Sequence, residues 1–161
     1  MTTNSSDNIA DNYVETIKTF VSKNDEYYRQ QWMFASPVEP KSSWNWAAFL
    51  LGGIWMVYRK MYLHAGILFA TIFVITFVEL ALGASFIAAS AINLLILSIV
   101  GGSGNNWYKK HTVKMIDEIA STAPPQQAKE ELARKGGTNL IAAWASGIFI
   151  LLSIMPFALQ Y

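Results

Sequence analysis

Two polar side chains inside apolar stretches are the residues of this sequence that could carry chemistry within a membrane. Glu79 is the one acid in the stretch 61–83, and Asn93 lies in the stretch 84–100. Carboxylates inside membranes often handle protons or ions, because an unpaired charge in lipid is costly. Glu79 lies about 6 Å of helix from the end of its stretch, so it can reach the interface. We therefore expect an interfacial or pairing role for Glu79, and an interhelical hydrogen bond from Asn93.

Other catalytic and metal-binding patterns are weak. The chain has no cysteine and two histidines, His64 and His111, which argues against disulfides, thiol nucleophiles and multi-histidine metal sites. The run "GGSGN" at 101–105 lacks the lysine and hydroxyl residue of a phosphate-binding loop. We interpret it as a helix break at the membrane surface. We expect no enzyme activity, no cofactor and no metal site.

The composition favours a membrane protein. Of the 161 residues 53% are apolar and 14% are charged, whereas a soluble domain carries roughly 25% charged residues. A net charge of +1 provides no field that would attract nucleic acid, so no nucleic-acid partner is expected. The first forty or so residues lack the pattern of a cleavable signal peptide, so an internal segment would direct insertion.

Three apolar stretches predict transmembrane helices. Residues 61–83 have the length of a span, residues 84–100 are near the lower limit, and residues 138–161 form a third span capped by Thr138 or Asn139. A tight break at 82–85 makes the first two antiparallel. The preceding aromatic run, 46–58, is too short to span alone. With Gly52-Gly53 in its middle, it predicts an interfacial or re-entrant segment.

The polar regions predict amphipathic helices. One covers 8–22, with Ile17, Phe20 and Val21 on a single face, and a second covers about 25–34. In the region 101–137 we expect one helix that either begins after the glycine break or continues the second span. Another helix follows Pro124-Pro125, with ion pairs from Glu130 to Arg134 and from Glu131 to Lys135.

The sequence thus predicts an all-α integral membrane protein with about three transmembrane helices, one interfacial or re-entrant segment and amphipathic cytoplasmic helices. Lysine and arginine residues flank only one end of each span, which places the N-terminus and 101–137 in the cytoplasm and the C-terminus outside. The predicted segments are a helical arm 1–36, a hinge 37–43, an aromatic segment 44–60, a transmembrane hairpin 61–100, cytoplasmic helices 101–137 and a third span 138–161.

The run "SWNWAAFLLGGIWMVYRKMY" at 43–62, together with Tyr27, Tyr28 and Trp32 before it and "GNNWYKKH" at 104–111 after it, is a specific pattern. It resembles a family of small bacterial membrane proteins, domain of unknown function 2628. The resemblance covers about residues 20–120 and implies a bacterial inner-membrane protein with no assigned catalytic residue. Gly52-Gly53 replaces the family's usual Gly-Pro.

The motif residues near the predicted cytoplasmic surface form our candidate surface for a partner or for lipid: Trp44, Asn45, Trp46, Arg59, Lys60, Tyr62, Gly104, Asn105 and Tyr108. They either bind a protein or a lipid headgroup, or anchor the chain in the interface. The leading hypothesis is a non-enzymatic adaptor or accessory subunit, with membrane lipid and a protein as partners. The alternatives are a small oligomeric transporter or channel subunit and a lipid-modifying enzyme, and a homo-oligomer is a further option.

Overall fold

The computed structural model describes residues 5–32 and 44–158, and these are almost entirely helical, with no strand among them. The predicted all-α fold is therefore confirmed. The predicted hinge at 37–43 lies outside the described residues. The helices are α1 (Ser5–Val21), α2 (Asp25–Trp32), α3 (Trp46–Leu51), α4 (Gly53–Tyr58), α5 (Tyr62–Ala81), α6 (Phe86–Thr122), α7 (Pro125–Lys135) and α8 (Leu140–Ala158).

Three of these helical stretches are long and apolar enough to cross a membrane, as predicted. The first is α5, whose 20 residues extend about 30 Å, the thickness of the hydrocarbon core. The second lies in α6, and the third falls within 126–152, where α8 supplies the apolar part. Most side chains of these spans are exposed within a single chain, which suits a lipid environment. The three apolar helices are compatible with a multi-pass membrane protein.

The chain divides into two compact units. The first contains residues 1–43 and 105–138, and the second contains residues 44–104 and 139–161. The first unit thus holds α1, α2, α7 and the second part of α6, while the second holds α3, α4, α5, α8 and the first part of α6.

The predicted helix break at 101–105 is wrong, because α6 continues without interruption from Phe86 to Thr122. The alternative, a helix that continues the second span, is confirmed. Glycine inside a helix costs only about 1 kcal/mol relative to alanine, so packing can override it. Here the glycines allow close approach. A Cβ atom at Gly101 would lie 2.8 Å from the Cβ atom of Phe49, and one at Gly104 would lie 2.8 Å from that of Ala48. Gly101 and Gly104 therefore allow α3 to pack closely against α6.

The core of the first unit contains the apolar face predicted for α1. Ile17, Phe20 and Val21 are buried, and Leu132 of α7 is buried in the same unit. At the end of α1 the chain meets the residues that follow α7, since the backbone N–H of Gly137 donates a hydrogen bond to the carbonyl of Phe20 at 2.6 Å. This hydrogen bond joins the end of α1 to the residues that follow α7.

The ion pairs of α7 differ from the predicted ones. Arg134 pairs with Glu131 at 2.7 Å, three residues away, through a two-pronged contact. Lys135 instead reaches Glu118 of α6 at 2.9 Å. The predicted partners, four residues away, were therefore wrong. The planar guanidinium of Arg134 binds both carboxylate oxygens of Glu131, three residues away, and Lys135 binds an acid on another helix.

Acid is expected to loosen the contact between α6 and α7. The hydrogen bond that the Lys135 ammonium group donates to Glu118 holds the pKa of this carboxyl group below the usual 4.5. A carboxyl with a lower pKa in the folded state stabilises the fold above its unfolded pKa, and this contribution disappears as the pH falls through the folded pKa. Hydrogen-exchange protection of the α7 amides should therefore decrease below pH 4.5. Because both side chains are partly exposed, the change should be small.

The matched variants for this contact are Glu118→Gln and Glu130→Gln. In Glu118→Gln we expect weaker protection of α7 already at neutral pH and a smaller decrease in acid. Glu130→Gln changes the same charge on an exposed residue of α7 and should keep the wild-type response. An unchanged acid response in Glu118→Gln would show that the pair contributes nothing to this contact.

Candidate functional site

The first motif residues lie at the start of α3, in the second unit. Asn45 caps this helix, because its side-chain oxygen accepts a hydrogen bond from the N–H of Ala48 at 2.9 Å. Its own backbone N–H donates to the carbonyl of Gly101 on α6 at 2.8 Å. Asn45 is buried, so it fixes the position of α3 and presents no accessible side chain.

Beside this cap, Trp44, Trp46 and Phe49 form an aromatic cluster. Their ring centroids lie 5.2 to 5.9 Å apart, in tilted or edge-on arrangements. The indole of Trp44 lies close to Gly101, where a Cβ atom would come within 3.0 Å of the ring. Trp44 is nevertheless 41% exposed and Trp46 is 66% exposed. The cluster is therefore fixed at its base and accessible at its outer edge.

The second group of motif residues follows α4. Arg59 is buried, with its guanidinium carbon 5.5 Å from the centre of the Tyr58 ring. Lys60 is half-buried and adopts a left-handed backbone conformation with φ of 59°. This turn leads directly into α5, where Tyr62 is half-exposed.

Asn139 links this turn to α8, as the sequence predicted only in part. Its side-chain oxygen accepts from the N–H of Ala142 at 2.9 Å, which confirms the predicted cap. In addition, its backbone N–H donates to the carbonyl of Tyr58 at 2.8 Å, and its amide nitrogen donates to the hydroxyl of Tyr62 at 3.0 Å. No sequence signal indicated the last two contacts, because they join residues far apart in the chain.

In the first unit, Asn105 and Tyr108 of α6 bind α2. The indole N–H of Trp32 donates to the carbonyl of Asn105 at 3.0 Å, and the amide of Asn105 donates to the hydroxyl of Tyr27 at 3.1 Å. The ring of Tyr108 packs edge-on against Tyr28, with centroids 4.9 Å apart. The aromatic residues of α2 and the motif residues 104–111 of α6 therefore pack these two helices against each other.

The ammonium group of Lys109 completes this contact. It donates a hydrogen bond at 3.2 Å to the carbonyl of Trp32, the last residue of α2. A cation at a helix C-terminus also interacts favourably with the helix dipole. Lys109 therefore caps α2, a role that the sequence alone did not indicate.

The nine candidate residues consequently differ in accessibility. Asn45, Arg59, Gly104, Asn105 and Tyr108 are buried. All of these except Arg59 make the contacts between helices described above. The accessible members are Trp44, Trp46, Lys60 and Tyr62, all in the second unit, and we call these four the accessible motif residues.

The two intramembrane polar residues differ in their contacts. The amide nitrogen of Asn93 donates to the carbonyl of Ala89 at 2.9 Å, so this hydrogen bond stays within α6 instead of joining two helices as expected. Glu79 is half-buried near the end of α5, and its buried Oε1 atom has no hydrogen-bond partner among the described residues. The expected pairing of Glu79 is thus not seen in this part of the chain.

The two histidines lie in different units. His64 belongs to the second unit and His111 to the first, where its ring centroid lies 6.3 Å from that of Phe20. Among the residues whose side chains the structure describes, 13–32 and 44–152 without 125, no three histidine, aspartate or glutamate side chains lie close enough to share a metal ion.

Most of the chain matches a known protein family. The family described as "Protein of unknown function (DUF2628)" matches residues 12–114, nearly two thirds of the chain. This range contains all of the motif residues named above, and α8 lies beyond it. No curated protein and no solved structure matches the chain.

Proposed function

This chain belongs to the DUF2628 family, whose description assigns no activity, and we therefore propose its function from its own residues. We propose a small protein of the bacterial inner membrane that acts as a non-enzymatic adaptor. It holds a protein partner at the cytoplasmic surface of the membrane through the accessible motif residues.

The proposed orientation places the first unit in the cytoplasm and the C-terminus outside. Cytoplasmic flanks of spans are enriched in lysine and arginine. On α6, Lys110 and Lys114 are exposed beyond the apolar part of the helix, whereas the connection 82–85 at its other end carries no charge. With this orientation, the accessible motif residues lie near the cytoplasmic ends of the spans.

The observation that carries the proposal is the pair of accessible tryptophans at the start of α3. Tryptophan is among the residues that contribute most to protein–protein binding. A side chain that is already held in place loses less conformational entropy when a partner binds. Trp44 and Trp46 meet both conditions, because their rings pack against each other and against Phe49 while they remain partly accessible.

Anchoring in the lipid interface would use the same aromatic residues, so the experiment must separate the two roles. We would replace Trp46 by a photoreactive amino acid and irradiate intact membranes. A bound partner predicts one cross-linked product of defined mass. Trp44→Ala in the same chain should reduce its yield by about 10-fold or more, as expected for an interface hot spot.

The control carries the photoreactive group at Phe86 instead of Trp46. Phe86 is also highly exposed, but it is the first residue of α6, fifteen residues before Gly101. The adaptor proposal predicts no such product from this position. Cross-linking to lipid alone at position 46, or the same product from both positions, would overturn the proposal and leave interfacial anchoring as the role of the tryptophans.

A further inference from the structure

We propose that α3 and α4 form a re-entrant hairpin, whose exposed leucines at the bend contact lipid acyl chains. The hairpin enters the hydrocarbon layer, turns at Gly52 and returns to the side from which it entered. This proposal concerns the second unit alone and does not depend on the proposed adaptor function.

Both ends of the hairpin are bonded to the same end of the membrane helices. At its start, the N–H of Asn45 donates to the carbonyl of Gly101, in the part of α6 farthest from the 82–85 connection within this unit. At its end, the carbonyl of Tyr58 accepts from the N–H of Asn139, immediately before α8. The Asn139 side chain also bonds to Tyr62, the first residue of α5. The two ends therefore share one level.

The bend contacts all three membrane helices at a deeper level. The ring of Phe69 lies directly against Gly53, and Phe69 is seven residues, about 10 Å, along α5 from Tyr62. A Cβ atom at Gly52 would lie 3.1 Å from Leu97, which is four residues, about 6 Å, from Gly101.

The contact with α8 gives a third measure of depth. Ile54 would lie 3.7 Å from a Cβ atom at Gly147, which is eight residues, about 12 Å, along the chain from Asn139. The contacted residues thus lie about 6 to 12 Å along the three helices from the level of the ends. Because Gly52 is six residues from Tyr58, the bend itself lies deeper than the ends by up to about 9 Å. A segment lying flat in the interface would contact the three helices at one level.

The backbone at the bend is compatible with this depth. Irregular backbone is tolerated in the hydrocarbon region only where protein covers it and its polar groups are bonded. Gly52, with φ of 50°, is buried, as is Gly53. The N–H of Gly52 donates to the carbonyl of Ala48 at 2.8 Å, and its own carbonyl accepts from the N–H of Met56 at 3.4 Å.

The side chains before the bend indicate what covers them. Leu50 is 69% exposed and Leu51 is 51% exposed, and both lie within two residues of Gly52. No charged residue occurs from Trp46 to Tyr58. Ile67, at a similar depth on α5, is also exposed. At this level of a membrane helix the surrounding medium is hydrocarbon, so lipid acyl chains are the occupant that the depth and the chemistry indicate.

The test measures depth against positions on α5, and it is simplified because the native chain has no cysteine. Single cysteines at Leu50, Leu63, Ile67 and Phe73 would carry a nitroxide label in the full chain, reconstituted in phosphatidylcholine–phosphatidylglycerol vesicles. All four native side chains are exposed. The collision rates with oxygen, which is enriched in lipid, and with a water-soluble nickel complex give the depth of each label.

We expect the label at Leu50 to lie deeper than that at Leu63 and shallower than that at Phe73, close to that at Ile67. A label at Ala47, an exposed residue in the first turn of α3, should be shallower than the label at Leu50. A depth at Leu50 no greater than at Leu63 would show that the segment lies flat in the interface. Low accessibility to both reagents would show that protein, not lipid, covers this face. Either of these results would overturn the proposal.

Discussion

Replacing Gly136 by alanine is expected to separate α7 from α1 and to expose the core of the first unit. A Cβ atom at this position would overlap the carbonyl oxygen of Phe20 and lie 2.7 Å from the carbonyl oxygen of Leu132. Both obstacles are backbone atoms at the ends of α1 and α7, so no rotation of a side chain relieves the collision. The hydrogen bond from Gly137 to Phe20 would be lost as well.

The expected cost of Gly136→Ala is about 3 kcal/mol or more, at the upper end for overpacking, because backbone must move. Native domains are stable by only about 5 to 15 kcal/mol, so this change should be visible as partial unfolding. Hydrogen exchange of the full chain in lipid nanodiscs measures it: the α1 and α7 amides should exchange faster, and those of α5 should not change.

The control for this substitution is Gly66→Ala. A Cβ atom at Gly66 meets no atom within 4 Å, and the residue lies inside α5. Alanine there should leave the first unit unchanged and favour the helix by up to about 1 kcal/mol. Equal protection of α1 in Gly136→Ala and in the wild type would show that the chain after α7 does not need a glycine at this contact.

The all-helical fold and its spans were predictable from the sequence because they depend on local patterns. The length and composition of 61–83 gave α5 to within two residues at each end. The apolar face of α1 was equally visible, since residues three and four positions apart lie on one side of a helix. Neither inference needed information about contacts between distant residues.

Glycine was the main source of error, because its role depends on what lies opposite. In "GGSGN" the sequence indicated a break, whereas the structure has a continuous helix with α3 packed against it. Gly136 and Gly137 do follow the end of α7, yet their contact with Phe20 could not be foreseen. A glycine that ends a helix and one that admits a neighbour look the same in a single sequence.

The candidate site was predicted as a set of residues but not as a set of roles. Trp32 and Asn105 belong to motifs separated by more than seventy residues, and only the fold brings their hydrogen-bonding groups together. Motif membership therefore identified residues of both kinds, those that hold helices together, such as Asn105, and those that remain accessible, such as Trp46. Burial separates the two kinds, and a sequence does not report burial at single positions.

Gly104→Ala should destabilise the second unit, and Ala48→Gly should reverse much of the effect. The added methyl group would lie 2.8 Å from the Cβ atom of Ala48, which is completely buried, whereas carbon atoms in contact prefer about 3.5 to 4.0 Å. The expected cost is about 1 to 3 kcal/mol, because α3 must move away from α6. Unlike the collision at Gly136, this one involves a side chain, so it can be relieved from the opposite helix.

The double variant Gly104→Ala with Ala48→Gly moves the methyl group from α3 to α6 and keeps the total volume. It should be more stable than Gly104→Ala alone, although glycine in α3 retains a helix cost of up to about 1 kcal/mol. Thermal unfolding in one detergent, with wild type and both single variants, gives the coupling between the two positions. Additive effects would show that α3 and α6 do not touch at these residues. A stabilising coupling would show that Gly104, a residue of the family motif, is needed for the close packing of α3 against α6.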